Sequence, residues 1–74
     1  MSLAFRYDKE ADAAYIQLHP IAPGEVARTE VADLELVSAA INLDFDSEGR
    51  LVGIEILGAR RILPPELLQS PTEQ

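Results

Sequence analysis

Cysteine is missing from this 74-residue chain. No disulfide can therefore brace the fold, no cysteine-based zinc site can form, and no thiol nucleophile is available. Long apolar runs are missing too, since no segment approaches the roughly 20 apolar residues that cross a bilayer. The opening Met1-Ser2-Leu3-Ala4-Phe5-Arg6 meets charge before a signal-peptide apolar stretch can build up. These absences set the expectation of a cytoplasmic protein that does not engage a membrane. Basic residues are scarce, with six Lys and Arg against thirteen Asp and Glu, for a formal net charge of −7. Such a charge repels phosphate backbones at long range, so nucleic acid is not an expected partner. It attracts a basic protein, and it also keeps a small protein soluble.

What is present is the composition of a folded protein, 47% hydrophobic and 26% charged. A chain this short cannot divide its apolar side chains between two cores, so one domain is expected. At this size only roughly 60% of the unfolded surface is buried, and the margin over conformational entropy is thin. With disulfides and cysteine-based zinc sites excluded, a subunit interface is the remaining support. A homo-oligomer follows as an expectation, with a dimer as its first form.

Along the chain, Leu3, Phe5 and Tyr7 alternate with polar or small residues as a half-buried strand does. Asp8-Lys9-Glu10-Ala11-Asp12 reads as a turn or a single helical turn, capped by Asp8. A second strand follows over residues 13–18, with Ala14, Ile16 and Leu18 on one face and Ala13, Tyr15 and Gln17 on the other. His19-Pro20-Ile21-Ala22-Pro23-Gly24 is a loop, because its prolines lack backbone donors. Residues 25–31 alternate again, and their polarity predicts an exposed edge strand. Residues 32–38 fit helical and strand spacing equally and read as a connection containing a turn.

The clearest element is a hairpin. Ile41, Leu43 and Phe45 alternate with Asn42, Asp44 and Asp46, Asp46-Ser47-Glu48-Gly49 supplies turn residues, and a β-branched run continues to Leu57. A four-residue loop sets Leu43 opposite Val52 and Ile41 opposite Ile54. A three-residue loop sets Leu43 against Gly53 and carries Glu55 onto the apolar face, so the four-residue register is the expected one. Pro64-Pro65 can open a short helix that covers one sheet face. Residues 70–74 are polar and are expected to form a disordered tail.

Three groups of residues invite a chemical reading. From Asp44 onward, carboxylates at positions one, three, five and twelve (Asp44, Asp46, Glu48 and Glu55), with Gly49 at six, match the spacing of a calcium loop. Yet glutamate stands at the fifth position, Val52 at the ninth, and the flanks read as strands where such a loop joins helices. Turn chemistry explains the same residues, so these four are weak metal candidates and no metal is expected. Asp8, Glu10 and Asp12 form a second acidic group, to which Asn42, Asp44 and Glu55 would be added if the polar sheet face lay near the first turn. Paired carboxylates can hold magnesium or act as acid and base, but acids in turns are ordinarily solvated caps. His19 has no second histidine or elbow serine to complete a zinc site or triad. Arg60 and Arg61, the only paired basic residues, can pair with acids or contact a partner, and are read first as solvated.

Two motifs carry a family resemblance. Tyr7-Asp8-Lys9-Glu10-Ala11-Asp12-Ala13-Ala14-Tyr15-Ile16-Gln17-Leu18, and Asn42-Leu43-Asp44-Phe45-Asp46 with Gly49-Arg50-Leu51-Val52-Gly53-Ile54-Glu55-Ile56-Leu57 and Ala59, resemble the small bacterial proteins of domain-of-unknown-function family 2283. Where that family often has proline after the first aspartate, this chain has Lys9. The resemblance implies a compact β-rich domain in a bacterial cytosol, and it transfers no catalytic residue. Small acidic proteins of this kind sometimes sit beside toxin-like partners, so analogy alone raises an antitoxin-like role.

The reading is thus an α+β, mainly β domain over residues 1–69. It has a small antiparallel sheet of four to five strands, a meander with a C-proximal hairpin, and a short C-terminal helix. Its expected role is non-enzymatic, as a self-association or protein-interaction module without catalytic residues or cofactors. The alternative is a metal- or small-ligand-binding domain using the hairpin carboxylates.

Overall fold

The structure is a computed structural model that describes residues 3–69; the expected tail at 70–74 lies outside them. Five strands form one antiparallel sheet: β1 (Ala4–Asp8), β2 (Ala13–Gln17), β3 (Arg28–Leu34), β4 (Ala39–Phe45) and β5 (Leu51–Leu57). Two short helices follow, α1 (Ala59–Ile62) and α2 (Pro65–Gln69). A mainly β, α+β fold is therefore what these residues build. The spatial order is β1-β2-β5-β4-β3. A β1–β2 hairpin and a β3–β4–β5 meander are thus joined by pairing of β2 with β5. The centre falls to β5 because its side chains are the most continuously apolar and tolerate cover on both faces.

The two faces differ in chemistry. On one, Phe5, Ile16, Ile54 and Leu43 form a cross-strand row, and Tyr7, Ala14, Ile56 and Ile41 form the next. Both helices pack on this face, where Ile62, Leu63 and Leu68 meet Ala14, Ile56 and Ala59. The proline-opened helix and its covering role match the expectation. The α1 turn was not legible beforehand, because its first N–H groups bond to Asp12, which is remote in sequence.

The hairpin needs a correction. Leu43 faces Ile54 and Ile41 faces Ile56, two residues beyond the expected pairing. The Asp46 N–H donates to the Arg50 carbonyl, so the loop is Ser47-Glu48-Gly49, three residues long. Between the Asp44–Gly53 and Phe45–Leu51 pairs the register shifts, leaving Val52 without a counterpart on β4. This bulge restores the alternation that the shorter loop would have inverted, so Ile54 and Ile56 keep the apolar face. Gly49 supports the turn with a φ of +81°.

The edge strand starts three residues later than expected and runs to Leu34, but it does stand at the sheet edge, almost wholly exposed. A 3₁₀ turn at Glu35–Val37 follows. Among the described residues buried hydrophobic ones are few, namely Ala14, Ala39, Val52, Ile56 and Ala59. Three of them are alanines, so the innermost core is thin. No helix among the described residues is long and apolar enough to cross a membrane.

Candidate functional site

The second sheet face carries the polar side chains, and the strand registers determine which of them meet. Arg6, Tyr15, Glu55 and Asn42 lie in one cross-strand row, and Gln17, Gly53, Asp44 and Thr29 in the next. Gly53 presents no side chain, and the Tyr15 ring leans across its α-carbon. The phenol thereby spans β5 and donates to Asp44 Oδ2 at 3.0 Å, while Thr29 Oγ1 donates to Asp44 Oδ1 at 2.8 Å. Asn42 Nδ2 donates to Glu55 Oε1 at 3.0 Å. Four strands are laced together by three side-chain bonds.

Burial pushes the Tyr15 phenol up to about 12, aided by its bond to Asp44 and by the negative charges of Asp44 and Glu55, against Arg6. Tyr15 is therefore a fixed, protonated donor at neutral pH and is unsuited to be a general base. Both oxygens of Asp44 are engaged. Among the described residues no buried side-chain polar atom lacks a partner. Such a face holds itself in shape.

A second polar knot joins the first turn to α1. Tyr7 Oη donates to Asp12 Oδ1 at 2.7 Å, and the Arg60 N–H donates to the same oxygen at 2.9 Å. The Asp12 carbonyl accepts the N–H groups of Gly58 and Ala59, both at 3.0 Å. The Tyr7 bond, with the Arg60 N–H and the charges of Arg60 and Arg61, holds the Asp12 carboxyl below the usual carboxylate range despite some desolvation. That same bond raises the Tyr7 phenol. Asp12 sits at φ +53°, in the left-handed region that aspartate tolerates better than most residues.

The residues singled out by spacing are dispersed. Asp44 belongs to the polar face and Glu55 pairs with Asn42. Asp46 is buried in the hairpin turn, where its Oδ1 accepts the N–H groups of Glu48 and Arg50, and its Oδ2 the Arg50 Nε. Those bonds, the Arg50 N–H foremost, hold its carboxyl low. Glu48 is exposed and lies 3.3 Å from Arg50. No group of three or more His, Cys, Asp or Glu among the described residues is arranged to hold a metal ion. Asp8 caps the first turn by accepting the N–H groups of Glu10 and Ala11.

The two acidic groups do not merge. Asp8 belongs to the row that includes Ala40; Asp44 is offset from that row by four residues of β4, about 13 Å along the strands, and β4 is itself three strand spacings of about 4.8 Å from β1. Exposed His19 turns its Nδ1 to the Pro20 carbonyl at 2.8 Å. Arg60 donates to the Lys9 carbonyl. Arg61 lines an open cleft of about 380 Å³ together with Asp12, Asp33, Ser38 and Gly58.

Sequence reasoning missed the Tyr15–Gly53–Asp44 arrangement. Its signal was a glycine inside an otherwise β-branched strand, which marks a close approach of another group.

Comparison with curated proteins gives no match, and comparison with solved structures gives none. The family described as "Protein of unknown function (DUF2283)" matches residues 4–60. That span runs from the first residue of β1 into α1 and contains every strand, both polar knots and the hairpin turn. The chain therefore belongs to domain-of-unknown-function family 2283.

Proposed function

We propose that this domain is a non-enzymatic self-association module, most simply a homodimer. The observation that carries the reading is the imbalance between its core and its surface. Among the described residues only five hydrophobic ones are buried, three of them alanine, and no large side chain is fully enclosed. Meanwhile Val26, Val31, Leu36 and Val37 stand exposed within residues 26–37, along one edge of the molecule. Leu3, Leu51, Leu57 and Leu67 are exposed elsewhere, as scattered apolar residues ordinarily are, but four within twelve residues is a concentration that supports a contact surface. The strand within that segment, β3, also has no strand beyond it among the described residues.

The polar groups support the same reading. Asp44, Glu55, Asp46 and Asp12 each hold a neighbour in the fold, which gives every one of them a structural role. A further partner, if the assembly takes one, is basic, because each copy carries a charge of −7. The cytoplasm is the setting this reading assumes.

Self-association stabilises by mass action, so the melting temperature depends on protein concentration. Thermal unfolding followed by circular dichroism across a wide concentration range is expected to show a steady rise. A melting temperature that stays constant over that range contradicts the proposal.

A further inference from the structure

The exposed edge is symmetric about one residue. Val26 and Leu36 lie five positions to either side of Val31, and all three are exposed. We infer that two copies pair antiparallel through β3, with the two-fold axis at Val31, to give a continuous ten-stranded sheet. The inference rests on the self-association proposed above and assigns its interface and register.

The assignment follows from charge and face. An axis normal to the sheet keeps the helices of both copies on the same side, so residues facing one another across the junction share a face. Placing the axis at Glu30 sets Glu30 against itself, and placing it at Asp33 sets Asp33 against itself. Like charges directly opposite are destabilising. An axis at Thr29 pairs only residues 28–30, and one at Ala32 pairs only residues 30–34.

At Val31 all seven residues of β3 are paired and no charge meets its like directly. Arg28 faces Leu34, Thr29 faces Asp33, Glu30 faces Ala32, and Val31 faces Val31. Arg28 meanwhile keeps its own Glu30 at 2.8 Å, which neutralises the one acid near the axis on the helical face. The same axis brings Val26 of one copy toward the end that holds Leu36 of the other. Edge charges ordinarily guard against indiscriminate pairing. Here they leave one full-length register open.

Because the chain has no cysteine, single cysteines report the register directly. In Val31→Cys the two α-carbons across the axis form a directly opposed pair, about 4.5–5.5 Å apart, within disulfide range. In Asp33→Cys the two cysteines stand four residues out of register, about 13 Å apart. Under mild oxidation, Val31→Cys is expected to convert to the covalent dimer on a non-reducing gel. Asp33→Cys at equal concentration is expected to stay at the monomer position. Val31 is 64% exposed, so the substitution leaves the protomer fold intact, which circular dichroism checks.

A second variant, Val31→Lys, sets two ammonium groups face to face and is expected to shift the wild-type mass from twice 8.1 kDa to 8.1 kDa. Slow, equal cross-linking of both cysteine variants in a protein of doubled mass overturns this interface while self-association stands. The same result in a protein of single mass overturns both and leaves the edge for a strand of another protein.

Discussion

The Tyr15 ring fills the space where any residue other than glycine at position 53 would place its β-carbon: an added Cβ would overlap the phenol oxygen and lie 2.5 Å from Cζ. The pair explains why a glycine stands in the middle of the central strand. To admit a side chain, the ring must swing away and release Asp44. Gly53→Ala is therefore expected to cost about 1–3 kcal/mol in urea unfolding. In a Tyr15→Ala background the same substitution should cost far less, and equal costs in the two backgrounds contradict the packing described.

Tyr15→Phe tests the hydrogen bond separately from the ring. It leaves Asp44 Oδ2 without its donor on a partly exposed face, and a loss of about 0.5–1 kcal/mol is expected. A larger loss would mean that the phenol supports more than this one bond.

The same phenol predicts an alkaline limit. Its pKa is raised from 10.0 to about 12 in the folded protein, so the folded state holds the proton more tightly than the unfolded chain does. The contribution is complete below pH 10 and disappears as pH rises toward 12. Absorbance titration of the Tyr7→Phe variant is expected to show the remaining phenol ionising late, together with a fall in melting temperature across that interval. An ordinary titration with unchanged stability contradicts the assignment.

Acid has the opposite sign. The carboxyls of Asp12 and Asp46 are held below their ordinary 3.8, so their contribution is present above that value and is lost as pH falls through their lower folded values. At position 12 the backbone also matters, since φ is +53°. Asp12→Asn keeps an acceptor and tolerates this conformation, so it should lower the melting temperature least. Asp12→Ala loses the acceptor, and Asp12→Val adds strain from its branched side chain. The order Asn, Ala, Val is the expected result of thermal unfolding at neutral pH, and an equal effect of all three contradicts it.

In the hairpin turn, Gly49 has φ +81° and nothing near enough to clash with a Cβ. Gly49→Ala therefore isolates the conformational penalty and is expected to cost about 1–2 kcal/mol. A neutral result would show that the turn adopts another shape.

Much of the fold could be read from periodicity. Alternation at Phe5 and Tyr7, Ala14 and Ile16, and Ile41 and Leu43 located three strands and their inner faces. Asp8 and Asp46 were recognisable as turn residues from residue type alone. The hairpin register was not, because loop length and bulge offset one another: a three-residue loop with one bulge preserves the same alternation as an even loop. Within residues 32–38 a turn was legible and is found at Glu35–Val37, but the continuation of β3 to Leu34 was hidden, as was the α1 turn. Asp12 fixes α1 by reaching residues 58–60, and no local pattern encodes a contact across that separation. The calcium-like spacing was real, but Asp46 and Glu48 fall in the hairpin turn while Asp44 and Glu55 stand on the polar face of the sheet. Asp44 and Asp46 thus satisfy separate neighbours.

Sedimentation equilibrium of the unmodified protein tests the central claim most directly. A thin core and an uncovered edge call for a second copy, and the mass is expected to approach twice 8.1 kDa as concentration rises through the micromolar range. A mass that holds at 8.1 kDa throughout would contradict it.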